Sequence, residues 1–397
     1  MYLLDQKAED IISKITFAEQ SINEIKSTDE VLKSYIEPLG YYLKTLKESV
    51  KEAEADFVEF IKKTGFGQEA FIPEKAHRRL LAAILRNFED IEKRVYIGVD
   101  TFLPLIFIWN SQKARPETKR HHDLLTHFVN DFLKFCCMPE PVMTIIGESY
   151  ACFPIEWASK RKHIIFGTFS EAQNLRKWVL LAHEIGHIYY HQNSFEINSN
   201  VSPQVVRKLG EVRPPNLNQY DFEQATYIWT NHWIPEFVSD CFAVKTLGPA
   251  FILQFMLTAL NGQPDRVEFT HPPTSIRVNF MLDILEDLGL SGISINDYRN
   301  SWQSYTHTVS TPTSIFIADD EVVNAALSSI GSVLTPTPII DKWADITEAR
   351  RALSAGTVPD KDLISTISAL AIEENKLNPV QVSNELLKRY PTDSDVF

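Results

Sequence analysis

The chain has 397 residues, of which 44% are hydrophobic and 23% charged, and its 39 basic and 52 acidic residues give a formal charge of -13. This composition is typical of a folded globular protein with two or three structural units. The acidic excess leaves no broad cationic surface to neutralise phosphates, so nucleic acid is excluded as an expected partner.

The first predicted element is a helical hairpin. Apolar residues recur at steps of three and four over 4–25 and again over 39–60, which is the pattern of a helix with one buried face. Thr28 and Asp29 supply capping chemistry between the two runs. The hairpin over residues 1–64 is expected to pack on the rest of the chain or to pair with a second copy or a partner.

Two further helices are predicted at 73–94 and 116–136. Between them, the apolar run FLPLIFIW at 102–109 is far shorter than the roughly 18 residues that cross a bilayer, so no membrane span is expected. Three histidines on the second helix have no partner histidine one turn away and are expected on the surface: His121, His122 and His127. Residues 1–138 are therefore predicted to be an N-terminal helical region.

Short segments rich in β-branched and aromatic residues follow within 141–169: VMTIIG, ACFPI and HIIFGTF. Glycine, proline and a basic cluster separate them, which predicts three strands. The next helix, predicted at about 171–191, contains the sequence WVLLAHEIGHIYYH. The polar stretch from Gln192 to Tyr220 contains three prolines and is expected to be mostly loop.

Helical patterns resume at 221–247, 249–260 and 274–288, and again after a Ser-, Thr- and Pro-rich stretch at 309–340. We therefore predict an α+β fold within a mostly helical chain. A short mixed sheet and the helices that carry the chemistry are expected at 139–308, followed by a C-terminal helical appendage at 309–397.

The cysteines indicate a reducing compartment. They form neither a CxxC pair nor a densely spaced even set, so we expect all four to be structural: Cys136, Cys137, Cys152 and Cys241. No secretory leader is expected either. The expected location is therefore cytoplasmic.

The segment WVLLAHEIGHIYYH places two histidines and a glutamate on a helix with apolar flanks. His183 and His187 are four residues apart, about 40° and about 6 Å on a helix, so both imidazoles can reach one zinc ion at about 2.1 Å. Glu184 lies about 100° around from His183, where it can act as a general base on a water at the metal. Mutual hydrogen bonding of these buried polar groups is the alternative explanation.

A catalytic zinc ion requires a third protein ligand. His191 is unsuitable, because the helical rise puts it about 12 Å along the axis from His183. Tyr190 and Asn193 stand where the metzincin continuation requires glycine and histidine, which excludes that pattern.

The favoured source of the third ligand is WIPEFVSDCFAV at 233–244, where Glu236 and Asp240 are again four residues apart on a predicted helix. One carboxylate can bind zinc, and the other can accept the remaining N–H of a ligand histidine. The alternative is that both merely line a solvated helix face. Weaker acidic candidates are Glu211, Asp221 and Glu223.

HEIGH followed on a later helix by an ExxxD pair resembles the gluzincin metallopeptidases, whose type member is thermolysin. The resemblance implies a zincin-like core with Glu184 as the general base and Asp240 as the hydrogen-bonding partner of a ligand histidine. It implies a zinc ion bound by His183, His187 and Glu236.

A second stretch, FTHPPTSIRV at 269–278, is similar to the HPxxxxR element of HtpX-like metallopeptidases and contributes His271 and Arg277. Soluble proteases of the ImmA/IrrE type also carry HExxH. The resemblance covers about 160–285, and the membrane helices of HtpX-like proteins have no counterpart in this sequence.

This resemblance implies metal-assisted hydrolysis of a peptide bond. Zinc polarises the scissile carbonyl, and Glu184 takes a proton from the attacking water and passes it to the leaving amine. His271 is expected to act catalytically by stabilising the oxyanion, while Arg277 does the same or holds the partner carboxylate; alternatively, His271 only ends a loop. Further candidate donors are His232, Tyr189, Tyr190 and Tyr227.

The expected substrate is a protein or peptide, because a zincin-like edge strand at 163–169 would pair with an extended backbone. The chain is therefore predicted to be a soluble zinc-dependent endopeptidase of narrow specificity or under regulation. One alternative is a zinc-binding regulatory protein without proteolytic activity. The other is a zinc hydrolase for a small molecule, which pairing of strand 163–169 on both edges would favour.

Overall fold

The structure is a computed structural model of the chain. It describes residues 2–25, 30–64, 75–138, 142–147, 149–155, 162–168, 174–260, 264–266, 268–309, 320–334, 338–372, 377 and 379–390. The chain forms two compact units. One consists of Met1–Pro116 with Pro154–His163, and the other of Glu117–Phe153 with Ile164–Phe397.

The described part of the first unit contains the helices α1 (Tyr2–Glu24), α2 (Glu30–Thr64), α3 (Lys75–Val95) and α4 (Leu103–Ala114). Helices α1 and α2 pack against each other and bury both apolar stripes, as predicted for a hairpin. The predicted capping residues Thr28 and Asp29 lie outside the described residues. A π-helical turn at Tyr96–Phe102 leads into α4, so the run at 102–109 is helical too.

The second unit carries the candidate site. The helices described in it are α5 (Pro116–Phe135), α6 (Leu181–Glu211), α7 (Gln219–Ile228), α8 (Ile234–Leu247), α9 (Pro249–Ala259), α10 (Thr274–Leu288), α11 (Ile295–Val309), α12 (Asp320–Val333), α13 (Pro338–Ser354), α14 (Leu363–Ile372) and α15 (Pro379–Arg389). A 3-10 turn at Leu175–Leu180 leads into α6, and a π-helical turn at Trp229–Trp233 joins α7 to α8.

The three predicted strands are present as β1 (Met143–Gly147), β2 (Ala151–Ile155) and β3 (Lys162–Thr168). Their order in the sheet is β1-β3-β2, with β1 and β3 parallel. The prediction that 163–169 forms an edge strand is therefore wrong, because β2 returns to the far side of β3 and leaves β3 in the middle. The outer strand on that side is β2.

Helix α6 is longer than predicted. Ile197, Val201, Val205 and Leu209 are spaced four apart and all are buried, so an apolar stripe continues where the polar composition indicated a loop. Pro203 lies inside the helix, although proline lacks the backbone donor and its ring crowds the carbonyl four residues earlier. The predicted loop from residue 192 to 220 is thus wrong as far as Glu211.

The predicted surface position of His122 is also wrong. Its side chain is fully buried, and Nε2 lies 2.8 Å from the carbonyl oxygen of Thr144 on β1, to which it donates. Hydrogen bonding to the strand explains how a histidine can be buried at this position. His127 is exposed, as expected, and His121 is half-buried.

Helices α6 and α8 pack along each other at the centre of the second unit. Gly186 permits this approach, because a Cβ atom at that position would lie only 2.7 Å from Cα of Ser239. The facing sides of the two helices carry the HExxH residues and the ExxxD pair. Close helix packing therefore brings the two halves of the predicted site together.

The helices after residue 309 share the hydrophobic core of α6 and α8. Helix α14 is almost entirely buried and packs against α9 and against the 3-10 turn that leads into α6. The side-chain amide of Gln254 on α9 donates to the carbonyl of Ala371 at 2.9 Å. Residues predicted to be a C-terminal appendage thus belong to the same compact unit as the motif helix.

The architecture is mostly helical with one small mixed sheet, in agreement with the predicted α+β class. Within the described ranges, no single helix has both the length and the hydropathy to cross a membrane. The helices α12 and α13 together have that length and hydropathy, but they form a pair bent by 90°.

Candidate metal centre

His183, His187 and Glu236 lie together between α6 and α8. Their ligand atoms all fall within 4.8 Å of one another. Nε2 of His183 is 3.3 Å from Oε2 of Glu236, and Nε2 of His187 is 3.4 Å from Oε1 of the same carboxylate. Ligands about 2.1 Å from a tetrahedral ion are separated by about 3.4 Å, so this spacing fits a small divalent cation.

The Glu236 carboxylate supports the same interpretation. The side chain is buried, and Oε2 has no hydrogen bond of good geometry among the residues that the structure describes, although Nη1 of Arg277 and Nε2 of His183 each lie 3.3 Å away. Cationic neighbours at this distance compensate the charge of the carboxylate only in part, whereas a metal ion bound there would also coordinate the oxygen. The three residues could therefore hold a metal ion.

Asp240 and Arg277 surround the ligands with charge-assisted hydrogen bonds. Nδ1 of His183 lies 2.9 Å from Oδ1 of Asp240 and donates to it. Arg277 donates from Nε to Oδ2 at 2.7 Å and from Nη2 to Oδ1 at 2.8 Å, while its Nη1 lies 3.3 Å from Oε2 of Glu236. The ExxxD aspartate and the HPxxxxR arginine thus hold His183 with Nε2 turned towards Glu236.

These contacts shift the pKa values of the cluster. Burial lowers the pKa of His183, but the charge of Glu236 and the hydrogen bond to Asp240 outweigh burial and raise it to about 10. Burial and the charge of His183 lower the pKa of His187 to about 3. For Glu236, the charges of Arg277 and His183 outweigh burial and leave the pKa well below its usual range. Without metal, His183 is therefore the histidine that carries a positive charge, whereas His187 is a neutral imidazole.

Glu184 lies beside this group and lines a cavity of about 290 Å³ together with His183. Burial raises the pKa of its carboxyl, and the charge of His183 only partly offsets that effect. The backbone N–H of Cys152, on the outer strand β2, donates to the carboxylate. A carboxylate of raised pKa that borders a cavity is suited to accept and release a proton.

His271 and Arg277 line the same cavity, but their roles in the structure differ. His271 is half-exposed, and its Nε2 lies 3.8 Å from Oε1 of Glu236. Arg277 is buried, and its three guanidinium nitrogens face Asp240 and Glu236. His271 is thus accessible from the cavity, whereas the guanidinium of Arg277 is already paired with carboxylates of the protein.

The structure does not bring the other candidates into the cluster. The hydroxyl of Tyr190 pairs with Asn198, the ring of Tyr189 packs on Phe242, and His232 and Tyr227 pack around Phe269. The weaker acidic candidates lie on the exposed surface: Glu211, Asp221 and Glu223. His191, which was excluded by helical rise, is not part of the group.

Several residues of the site could not be identified from the sequence. Ser239 lies one position before Asp240, and its Oγ is 3.1 Å from Nδ1 of His187. Tyr150, which follows β1, and Phe251 and Phe255 on α9 line the cavity. The position of Ser239 within ExxxD was the available signal, whereas Tyr150 has no motif around it.

Comparison with known proteins gives no relative: no protein-family model, no curated protein and no solved structure matches the chain. The chemistry of these residues is therefore the basis for assigning a function.

Proposed function

We propose that the chain is a zinc-dependent endopeptidase with a zincin-like core of the gluzincin type. The observation that carries this proposal is the convergence of His183, His187 and Glu236 at the spacing of tetrahedral ligands, beside a carboxylate of raised pKa. A purely structural metal site would have no use for Glu184, which borders the cavity without belonging to the ligand group.

Zinc is the metal that we propose for this group. Two imidazole nitrogens and one carboxylate oxygen at the spacing of tetrahedral ligands would leave one position for water, as in catalytic and not in structural zinc sites. When bound, zinc would polarise the scissile carbonyl and lower the pKa of a water molecule.

Side chains of the protein would carry out the proton transfers and stabilise the developing charge. Glu184 accepts a proton from the attacking water and delivers it to the departing amine nitrogen. His271, half-exposed at the edge of the cavity, is the candidate donor to the oxyanion. Arg277 holds Asp240 and Glu236 in place, because its guanidinium already faces both carboxylates.

The cavity beside Glu184 supports an apolar side chain next to the cleaved bond. Its volume of about 290 Å³ is below the range for drug-sized ligands, and Leu180, Phe251 and Phe255 form its apolar wall. Strand β2 contacts Glu184 through Cys152 and is an outer strand of the sheet. It is therefore the strand to which an extended substrate could be added.

A second candidate function is hydrolysis of a small molecule at the same metal. Strand β3 is paired on both edges, which removes the strand that was expected to bind a peptide backbone. Under this alternative, the cavity beside Glu184 would bind the whole substrate. The two functions differ in whether proteins are cleaved.

The proposal is tested with the full chain as wild type, His183→Ala and Glu184→Gln, with His191→Ala as a matched control on the same helix. We expect wild type, Glu184→Gln and His191→Ala to retain one zinc ion per chain, and His183→Ala to lose most of it. Cleavage of a denatured protein mixture, followed by mass spectrometry of new termini, should occur with wild type and His191→Ala only. Loss of the general base should reduce the rate by about 10²–10⁴-fold.

Equal zinc content in wild type and His183→Ala would refute the metal site. Cleavage by Glu184→Gln at the wild-type rate would refute the general-base role. If zinc binds but no new termini form, while small esters or amides are hydrolysed in a Glu184-dependent way, the second candidate function is supported instead.

A further inference from the structure

We propose that Ser239 is a positioning residue that fixes the tautomer of His187, so that the lone pair on Nε2 faces the metal position. This inference rests on the metal assignment made for the proposed function. It concerns a hydroxyl that belongs neither to HExxH nor to the ExxxD pair.

The hydroxyl of Ser239 has a defined direction. Ser239 is fully buried, and its Oγ donates to the carbonyl oxygen of Pro235, one helical turn earlier, at 2.9 Å. A carbonyl oxygen can only accept a hydrogen bond, so the single hydroxyl proton is used there. The lone pairs of Oγ are then the only groups left for other partners.

The other neighbour of that oxygen is Nδ1 of His187, at 3.1 Å. Because Oγ of Ser239 has no second proton to donate, the hydrogen bond requires the proton to reside on Nδ1 of His187. In a neutral imidazole this leaves Nε2 unprotonated. Nε2 is the atom that lies 3.4 Å from Oε1 of Glu236, inside the candidate ligand group.

The arrangement parallels the one at the other ligand histidine. His183 donates from Nδ1 to Asp240, and its Nε2 faces Oε2 of Glu236 at 3.3 Å. Both histidines thus receive a partner on Nδ1 from α8, Asp240 for one and Ser239 for the other. A histidine without such a partner would divide its population between two tautomers, and only one of them can bind a metal through Nε2.

Packing alone would not require a hydroxyl at this position. The close approach of α6 and α8 at Gly186 requires a small residue opposite it, and alanine would satisfy that requirement as well as serine. Ser239→Ala therefore removes the hydrogen bond to His187 while preserving the contact. A purely structural role predicts that this variant behaves as wild type.

The matched control is Thr246→Val on the same helix. The Thr246 hydroxyl is buried and donates to the carbonyl of Phe242, one turn earlier, at 2.8 Å. It is outside the candidate ligand group. This variant removes a buried hydroxyl of the same kind from α8 without changing a partner of either histidine.

Two measurements on the full chain test the proposal. The first is the two-bond 1H–15N spectrum of metal-free protein labelled at its 11 histidines, with the His187 signals assigned by their loss in His187→Ala. We expect wild type and Thr246→Val to carry the proton on Nδ1 of His187, and Ser239→Ala to show a fraction with the proton on Nε2. The second is zinc affinity by competition with a chromophoric chelator, where Ser239→Ala should raise Kd about tenfold or more and Thr246→Val less than about twofold.

A wild-type spectrum with the His187 proton on Nε2 would overturn the proposal. So would a wild-type Kd for zinc in Ser239→Ala. If wild type binds no zinc, the proposed function fails while the metal-free spectrum still decides the role of Ser239. If zinc binds and the tautomer depends on Ser239 but no substrate is cleaved, the proposed activity alone is refuted.

Discussion

Replacing Gly186 by alanine should weaken metal binding far more than it weakens folding. The new Cβ would lie 2.7 Å from Cα, 2.9 Å from the carbonyl oxygen and 3.0 Å from Cβ of Ser239. Non-bonded carbon atoms are most stable about 3.5–4.0 Å apart, so α6 and α8 must separate locally by about 1 Å. Two of the three nearest atoms are backbone atoms, so a change of rotamer cannot relieve the contact.

The cost in folding is small because two effects oppose each other. Overpacking of a tight contact costs about 1–3 kcal/mol, while alanine is about 1 kcal/mol more favourable than glycine inside a helix. We therefore expect the unfolding free energy of Gly186→Ala to fall by about 0–2 kcal/mol. The proposed zinc site has less tolerance for this shift, because zinc ligands must lie within about 0.2 Å of their preferred distances.

A shift of about 1 Å between the helices moves Glu236 away from both histidines, which lie on the other helix. Loss of a hydrogen-bonding partner of a metal ligand typically raises Kd by roughly 10–100-fold. Because Gly186→Ala displaces a ligand itself, we expect Kd for zinc to rise by at least that factor. Gly210→Ala is the control, because Gly210 lies on the same helix and a Cβ there would meet no atom within 4 Å. Chelator competition gives Kd, and thermal unfolding in EDTA gives stability without metal.

If Gly186→Ala binds zinc with wild-type affinity and changes stability in EDTA no differently from Gly210→Ala, then the contact with Ser239 does not set the distance between ligands. If instead Gly186→Ala lowers the unfolding free energy in EDTA by much more than about 2 kcal/mol and also abolishes zinc binding, the contact between Gly186 and Ser239 supports the whole core of the unit and not the site in particular.

Three further outcomes are expected. Asp240→Asn should raise Kd for zinc about 10–100-fold, because the amide is a weaker acceptor for His183 and leaves buried Arg277 undercompensated; wild-type affinity would contradict this. Ala259→Trp should block the cavity and stop cleavage beside apolar residues while zinc content stays at wild-type level; unchanged cleavage would argue against this substrate pocket. Asp362→Ala should lower the unfolding free energy by about 1 kcal/mol through loss of the α14 N-cap, whereas exposed Asp360→Ala should not. Burial raises the pKa of Asp362, but its hydrogen bonds outweigh burial and lower the pKa below 3.8. The cap therefore contributes fully to the unfolding free energy above pH 3.8. The difference in unfolding free energy between wild type and Asp362→Ala should shrink as the pH falls below that value.

The sequence predicted the parts of the site that depend on a single helix. His183 and His187 follow from the four-residue spacing, and Glu236 and Asp240 follow from the same spacing on α8. Each pair is local, so the helical period alone decides which side chains share a face. The two pairs face each other because α6 and α8 pack closely. Gly186 permits this packing, but a glycine at that position in the sequence did not predict it.

The errors arose where tertiary contacts override local pattern. The sheet order could not be read from three adjacent strands, because pairing of β1 with β3 and the return of β2 are long-range choices. The polar composition after residue 192 concealed a stripe with one apolar residue per turn, which is helical only because the second unit buries it. His122 has no second histidine one turn away in its own helix, and its side chain bonds instead to the backbone of a strand.

The position of α14 in the chain has a consequence for synthesis. The candidate metal ligands are complete once Glu236 has been translated, but the surfaces of α9 and of the turn before α6 remain uncovered until the residues of α14 follow. At about 5–20 residues per second, this interval is on the order of ten seconds. A nascent chain therefore carries all of its candidate ligand residues before the core that supports them can form. The motif is thus translated well before the proposed metal centre can be assembled.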